Sequence, residues 1–308
     1  MGLKHLGYID LPEHAGKGGF DHAAVDRGRA LLFVAHTAND ALDVIDTHSG
    51  RYLRSVAGLK GVAGALVDES SHLVFSSNRG DNTIGIVPAD SAAAVEKVAV
   101  GIRPNGLAYD AGRGVLLSAN VGDPAQPGSP SVTLVDVPAR SVIASLAMPG
   151  RTRWAVFDPQ QAVFFVNIAD PPLIVVVDPA LPEGIARRLA VPAVGPHGLD
   201  LDQARRRLYC ASDDGTLVAI DPGSGETVAS LVLSGAPDVV FLNSTRSHLY
   251  VAMGDPGVID VIDVAPWRRV EVVPTERGAH TIAWDEGTQR VYAFLPDTHR
   301  ASILEDQG

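Results

Sequence analysis

The sequence contains a single cysteine, Cys210, among its 308 residues. One cysteine excludes an intramolecular disulfide framework and a cysteine-rich metal site. Basic residues are also scarce, since 25 Lys and Arg stand against 36 Asp and Glu and leave a net charge of −11. Because a phosphate backbone or an anionic membrane surface is bound by a basic patch, we expect neither a nucleic acid nor a membrane as partner.

The sequence also lacks the roughly twenty consecutive apolar residues that a membrane helix needs. Its start, MGLKHLGYIDLPE, has no apolar segment of the secretion-signal type, so we expect a cytoplasmic protein. A secreted protein whose signal had been removed would have the same sequence, and that alternative stays open. Long helices are excluded too, because 31 Gly and 21 Pro are spread evenly along the chain.

A repeat of about 42 residues accounts for the even spread of glycine and proline, because these residues mark the turns between short strands. Short apolar strands end in an acidic or amide residue, which we call the anchor, at Asp26, Asp68, Asp110, Asp158, Asp202, Asn243 and Asp285. A polar turn follows each anchor, then a second apolar strand and a third with alternating β-branched residues, as in ALLFVA and ALDVID. Four short strands per repeat are typical of a propeller blade. The seven repeats predict an all-β, seven-bladed β-propeller with four antiparallel strands per blade.

The seventh repeat is one strand short, because nothing strand-like follows ASILEDQG. The segment HLGYIDL at 5–11 precedes the first anchor, and we expect it to close the ring by completing the last blade, which leaves no exposed sheet edge. The prediction is one domain over residues 1–308. Its blades should start near residues 20, 62, 104, 152, 196, 237 and 279.

Several segments resemble a known family. The opening GGFDHAAVD, the run LFVAHTANDALDVIDTHSG and the Pro-x-Gly at strand starts are similar to the YVTN-type repeat family of lactonase-like, seven-bladed β-propellers. The resemblance covers essentially the whole chain and implies this fold. The YVTN tetrapeptide itself is absent, with VAHTAND and SSNRGDN in its place. The family contains both lactonase-like enzymes and binding proteins, so the resemblance leaves the activity open.

One position of the repeat carries unusual polar residues. The first strand of a propeller blade lines the central channel, and chemistry is usually placed at the channel mouth and its loops. Five residues before each anchor is the mouth position, and around the ring it holds Asp21, Ala63, Asn105, Arg153, His197, Asp238 and His280. Successive blades supply His197, Asp238, His280 and Asp21, so we expect these four to converge.

Two imidazoles and two carboxylates are a ligand set suited to Zn, Mn or Fe(II), and such an ion would polarise a carbonyl or activate a water. Arg153 would then hold a substrate carboxylate or an oxyanion, and Asn105 would be a neutral ligand or a donor that orients the substrate. His22, beside Asp21, would act as general acid or base. This set predicts a metal-dependent hydrolase of a lactone or ester, or a lyase that uses the same metal and a His base.

A second set of polar residues ends the second strands of blades one to three, at His36, Asn78 and Asn120. They lie on the same face as the channel mouth, and we expect them to bind a small-molecule substrate through hydrogen bonds. The interval of 48 residues in blade three comes from the insertion NVGDPAQPGSPS at 120–131, which would be either a lid or an idle loop on that face.

Alternatives to a metal-dependent enzyme stay open. Polar residues at strand starts also cap backbone groups around a water-filled channel, so a small-molecule site without metal is an alternative. A non-catalytic scaffold that binds a protein or a ligand is another. Glycine-containing stretches such as GDPAQPGS lack the strand-to-helix context of a phosphate-binding loop, so no nucleotide and no flavin is expected.

Overall fold

A computed structural model describes residues 2–90, 94–181 and 183–308 of the chain. Within these residues, 28 strands form seven four-stranded antiparallel sheets, and the one helical segment is a 3₁₀ turn at Thr37–Asn39. The predicted all-β, seven-bladed propeller is therefore confirmed. No helix in the described part of the chain is long and apolar enough to cross a membrane.

The strands are numbered in chain order. The closing strand and the first two blades comprise β1 (Leu3–Asp10), β2 (Phe20–Asp26), β3 (Leu31–His36), β4 (Ala41–Asp46), β5 (Arg51–Ala57), β6 (Val62–Asp68), β7 (Leu73–Asn78), β8 (Thr83–Pro88) and β9 (Glu96–Ala99). Blades three and four comprise β10 (Pro104–Asp110), β11 (Val115–Asn120), β12 (Ser131–Asp136), β13 (Ser141–Ala147), β14 (Thr152–Asp158), β15 (Val163–Ile168), β16 (Leu173–Val177) and β17 (Ile185–Ala190). Blades five to seven comprise β18 (Pro196–Asp202), β19 (Arg207–Ser212), β20 (Thr216–Ile220), β21 (Thr227–Val232), β22 (Val240–Asn243), β23 (His248–Met253), β24 (Val258–Val264), β25 (Trp267–Pro274), β26 (Ile282–Asp285), β27 (Arg290–Leu295) and β28 (Arg300–Asp306).

The first strand of each blade lies innermost, because these strands contact one another around the ring: β2, β6, β10, β14, β18, β22 and β26. In the described residues, apolar side chains form clusters that each draw on two neighbouring blades. Cys210 is fully buried in one of them, and burial raises the pKa of its thiol to about 12. Burial between the blades therefore holds the ring together.

The N-terminal strand closes the ring as predicted. β1 pairs antiparallel with β28, from Leu3 opposite Asp306 to Asp10 opposite Arg300, and completes the sheet of β26, β27 and β28. The strand spans Leu3–Asp10 rather than 5–11. Both ends of the chain thus contribute to one blade, which ties them together.

The anchors end the first strands for a common reason. Their side-chain oxygens accept backbone N–H groups of the following turn, as Asp26 does from Arg29 at 3.1 Å and Asp202 from Arg205 at 2.8 Å. Asn243 caps its turn in the same way, through the N–H of Arg246 at 3.2 Å. The recurring acidic or amide residue is thus a turn cap on the lower face, opposite the channel mouth.

Candidate functional site

The channel-mouth residues lie where the first strands are irregular. The pairing with the second strand shifts between Phe20 and Ala23, Val62 and Gly64, Pro104 and Leu107, Thr152 and Ala155, and Pro196 and Gly198. In blades six and seven, regular pairing starts only at Val240 and Ile282. Each irregularity includes or directly follows the residue five before the anchor, and bulges of this kind redirect side chains.

Three glycines let neighbouring first strands approach closely at this level. A Cβ on Gly64 would lie 2.5 Å from the carbonyl oxygen of Asn105, and one on Gly198 would lie 2.5 Å from that of Asp238. Gly106 meets the carbonyl oxygen of Arg153 in the same way. Each glycine follows a mouth residue of its own blade and sets the position of the mouth residue of the next blade.

We expect Gly198→Ala to lower the free energy of unfolding by about 1–3 kcal/mol, because forcing a methyl group into a filled site costs about that much. The substitution would also displace Asp238. Gly112→Ala is the matched control, since its Cβ would meet only Asp110 Oδ1, at 3.3 Å. Urea unfolding of both variants and the parent measures the effect, and equal stabilities of the two variants would contradict this account of the packing.

His197 stands at the centre of the site. Its Nδ1 lies 2.7 Å from Asp213 Oδ1, and its Nε2 lies 3.0 Å from Asp238 Oδ1. Arg153 Nη2 donates to Asp213 Oδ2 at 3.1 Å, which ties blade four to the same cluster. The side chains of His197 and Arg153 are only 14% and 13% exposed, whereas that of Asp213 is 40% exposed, so the cluster is open to solvent at Asp213.

The two carboxylates hold His197 in its charged form. Burial alone would lower the pKa of His197, but the charge of Asp238 and hydrogen bonds to Asp213 and Asp238 raise it to about 9. Arg153 Nη1 also lies 3.1 Å from Nε2. Because a protonated Nε2 cannot accept a hydrogen bond, we assign its proton to the bond with Asp238 and treat the Arg153 contact as a close approach of two cations.

His280, on blade seven, approaches the Asp238 carboxylate that His197 contacts from blade five. Its Nε2 lies 3.8 Å from Asp238 Oδ2, while its Nδ1 donates to the carbonyl oxygen of Gly278 at 2.8 Å. That bond fixes the tautomer and leaves Nε2 with a lone pair in the neutral ring. The side chain is 35% exposed, so Nε2 is accessible from the mouth.

The sequence did not show which of Asp21 and His22 points into the channel, and the structure gives their side chains different surroundings. Asp21 Oδ2 lies 3.3 Å from Arg79 Nη1, and Arg79 Nη2 donates to Asn105 Oδ1 at 2.6 Å. His22 is buried, with its ring centroid 4.0 Å from that of Trp154 and its Nε2 3.3 Å from Asp21 Oδ1. Burial lowers the pKa of His22, so the ring is neutral at neutral pH.

The three residues predicted to bind substrate from the second strands are enclosed in their blades. His36, Asn78 and Asn120 are fully buried. His36 contacts Asp43, Asn78 donates to Thr83, and Asn120 donates to Ser131 and Thr133. The structure thus does not bring them together with the mouth residues, and substrate binding by them stays a prediction.

Two residues of the site were missed by the sequence analysis, and both follow the end of a second strand. Arg79 comes directly after Asn78, and Asp213 directly after Ser212. Because side chains alternate along a strand, the last strand residue points into the blade and the next one points the other way. Taking the residue after each second strand, rather than its last residue, would have found both.

Two further arginines lie beside the mouth on blades three and four. Arg103 and Arg151 line a cavity of about 370 Å³ together with the insertion loop, at Val121, Asp123, Pro124, Gln126, Pro127, Gly128 and Pro130. Neither guanidinium has a side-chain hydrogen bond or an ion pair among the described residues. Burial and the charges of Arg153 and Arg103 lower the pKa of Arg151. Positive charge is thus concentrated on this side of the mouth, in a chain of net charge −11.

The predicted metal ligands form a chain of contacts rather than a common centre. Asp238 lies between His197 and His280, whereas Asp21 pairs with Arg79. Both ring nitrogens of His197 are engaged with carboxylates. In residues 2–90, 94–181 and 183–308, no three His, Cys, Asp or Glu side chains are grouped to hold one metal ion. Metal ligation by the four residues therefore stays a prediction.

Comparison with known proteins supports the architecture. No protein-family model and no curated protein sequence matches the chain. Among solved structures, hydrazine synthase from Kuenenia stuttgartiensis is similar, with a TM-score of 0.84 and 12% identity, over 96% of this chain and 97% of that one. A likeness at this identity concerns the fold alone, so membership of the YVTN-type family stays a prediction. The chain is a seven-bladed β-propeller with polar and charged side chains gathered at one mouth of its channel.

Proposed function

We propose that the channel mouth hydrolyses a small lactone or ester that carries an acidic group. The observation that carries this proposal is the pair formed by His280 and Asp238. His280 offers an accessible Nε2 with a fixed tautomer, 3.8 Å from a carboxylate that His197 holds in place. The resemblance to lactonase-like propellers favours a lactone among the esters.

The arginines favour an anionic substrate. Four arginines lie on one side of the mouth: Arg79, Arg103, Arg151 and Arg153. Together with the charged His197 they outnumber the four carboxylates of this region, Asp21, Asp123, Asp213 and Asp238. The planar guanidinium suits a carboxylate, which it binds through two parallel hydrogen bonds. The open cavity beside Arg103 and Arg151 leaves room for the acidic end of the substrate.

The reaction needs one base and one anion-binding group. Neutral His280 takes a proton from water at Nε2 as the water oxygen bonds to the acyl carbon. Arg153 stabilises the negative charge that develops on the carbonyl oxygen. The C–O bond to the leaving oxygen then breaks, and His280 returns its proton to that oxygen. Water is consumed, a lactone opens to a hydroxy acid, and His280 ends as it began.

A divalent ion remains part of the proposal as a separate question. Asp238 and His280 present a carboxylate oxygen and an imidazole nitrogen of the kind that Zn, Mn or Fe(II) binds, and such an ion would supply polarisation of the carbonyl. His197 would have to give up an ion pair to join them. Metal analysis of the purified protein beside His197→Ala and His280→Ala tests this, because a bound ion should be lost in both variants.

We expect the purified protein to hydrolyse lactones and esters that carry a carboxylate faster than their neutral analogues. Arg153→Gln should lower kcat/KM for anionic and neutral members alike by about 100-fold, since a hydrogen bond to the charge that develops on the carbonyl oxygen contributes that much. Arg188→Gln, at an exposed position on β17, is the matched control. Initial rates over a panel of anionic and neutral substrates measure both effects.

An unsaturated product in that panel would identify the lyase alternative.

A second function is favoured by one observation, because both nitrogens of His197 are already bonded in a closed network. Such a network suits a rigid binding site for a small anion without turnover. Saturable binding of the anionic compounds with no change in them would support it and would contradict the hydrolase.

A further inference from the structure

The channel below the mouth contains a separate cavity. It has a volume of about 380 Å³ and is lined by side chains of the first strands. His22 and Trp154, whose ring centroids are 4.0 Å apart, lie at its upper end. The ring of Phe241 packs edge-on against Trp154 at 6.4 Å, and Trp284 and Tyr109 add two further aromatic walls. The cavity is thus largely apolar, with aromatic rings among aliphatic side chains, unlike the charged mouth above it.

Two carboxylates, Asp68 and Asp200, line this cavity together with the aromatic rings. Asp200, on β18, accepts the backbone N–H of Leu201 at 2.7 Å with Oδ1 and that of Leu242 at 2.8 Å with Oδ2. No cationic side chain contacts it in the described residues. Burial raises the pKa of Asp200 to about 6, so the group is largely ionised at neutral pH. A negative charge without a countercharge in an apolar cavity is costly unless something positive binds there.

The lower opening of the cavity is acidic as well. The same cavity continues past Asp68 to an opening lined by Glu69 and Glu286. Arg27, the basic residue at this opening, pairs with both glutamates and is neutralised by them. A cation entering from this side therefore meets a favourable potential all the way to Asp200.

We propose that the lower cavity binds a small organic cation, an alkylated ammonium with apolar substituents. Trp154, Trp284 and Phe241 line the cavity and suit such a group, because aromatic rings attract cations that shed water easily. Asp200 supplies the countercharge. A metal ion is a poor match for these walls, because they offer few oxygen or nitrogen donors. This site is independent of the hydrolysis proposed for the mouth.

The test compares choline with 3,3-dimethylbutan-1-ol, which has the same shape but no charge, by isothermal titration calorimetry at constant ionic strength. We expect saturable binding of choline and at least tenfold weaker binding of the alcohol. Asp200→Asn should weaken choline binding at least tenfold, and Trp284→Leu at least fivefold. Asp255→Asn, at an exposed carboxylate paired with Arg277, is the matched control and should bind as the parent does.

Equal binding of choline and the neutral alcohol would overturn the proposal, as would no binding of choline. Parent-like choline binding by both Asp200→Asn and Trp284→Leu would overturn it too. The comparison of the two ligands on the parent protein needs no variant, so it decides even if Asp200→Asn fails to fold. His280→Ala should retain choline binding, which separates this site from the mouth.

Discussion

Replacing His280 by alanine is expected to lower kcat/KM for lactone hydrolysis by about 100-fold or more, which is the usual contribution of a general base. The ring offers the accessible lone pair at the mouth, and alanine leaves no group there to take the proton from water. The stability should change little, because the side chain is 35% exposed and its one close hydrogen bond is to Gly278. Initial rates and urea unfolding of the same preparation separate the two effects.

His48→Ala is the control for that experiment. His48 lies exposed in a turn of the lower face, where its backbone N–H donates to Asp46 Oδ1 at 2.8 Å. The His48→Ala variant should hydrolyse the substrate at the parent's rate. Comparable losses in the two histidine variants would show that the effect is unspecific and would remove His280 from the proposed mechanism.

Replacing His197 by glutamine should have the largest effect on stability. Its pKa is about 9 in the folded protein and about 6.5 in an ordinary environment, a difference that corresponds to about 3 kcal/mol in favour of the fold. Because the folded pKa is raised, this contribution is fully present below pH 6.5 and is lost as the pH rises through 9. His197→Gln should therefore be less stable than the parent by about that amount at pH 6.

The pH dependence distinguishes this ion-pair network from ordinary packing. The stability difference between parent and His197→Gln should shrink between pH 6.5 and 10 as His197 loses its proton. A loss of packing alone would give a difference that does not vary with pH in this range. Urea unfolding at pH 6, 8 and 10 measures it, with His48→Gln as an exposed control.

The fold was predictable because each blade repeats the same local physics. The anchors cap a turn with their own side chains, so Asp26 and its counterparts mark the end of each first strand without any knowledge of the other blades. Ring closure followed from pairing a spare strand with an incomplete sheet. The delayed starts of β22 and β26 were not predictable, because the residues before them are held by irregular pairing with the second strand.

The site was predictable by position but not by partner. Counting five residues back from each anchor placed His197, Asp238 and His280 at one mouth, where the structure brings them together. The same counting placed Asp21 beside them, yet in the structure its carboxylate forms an ion pair with Arg79. Which atoms meet depends on bulges and on close approaches at glycines such as Gly198, and neither has a signature in the spacing.

The most direct test of hydrolysis at the channel mouth uses a carboxylate-bearing lactone at pH 7.5 with the parent protein, His280→Ala and His48→Ala, each with its metal content measured. We expect turnover by the parent and by His48→Ala, and a rate at least 100-fold lower for His280→Ala. The same rate for all three proteins, or no turnover by the parent, would contradict this expectation.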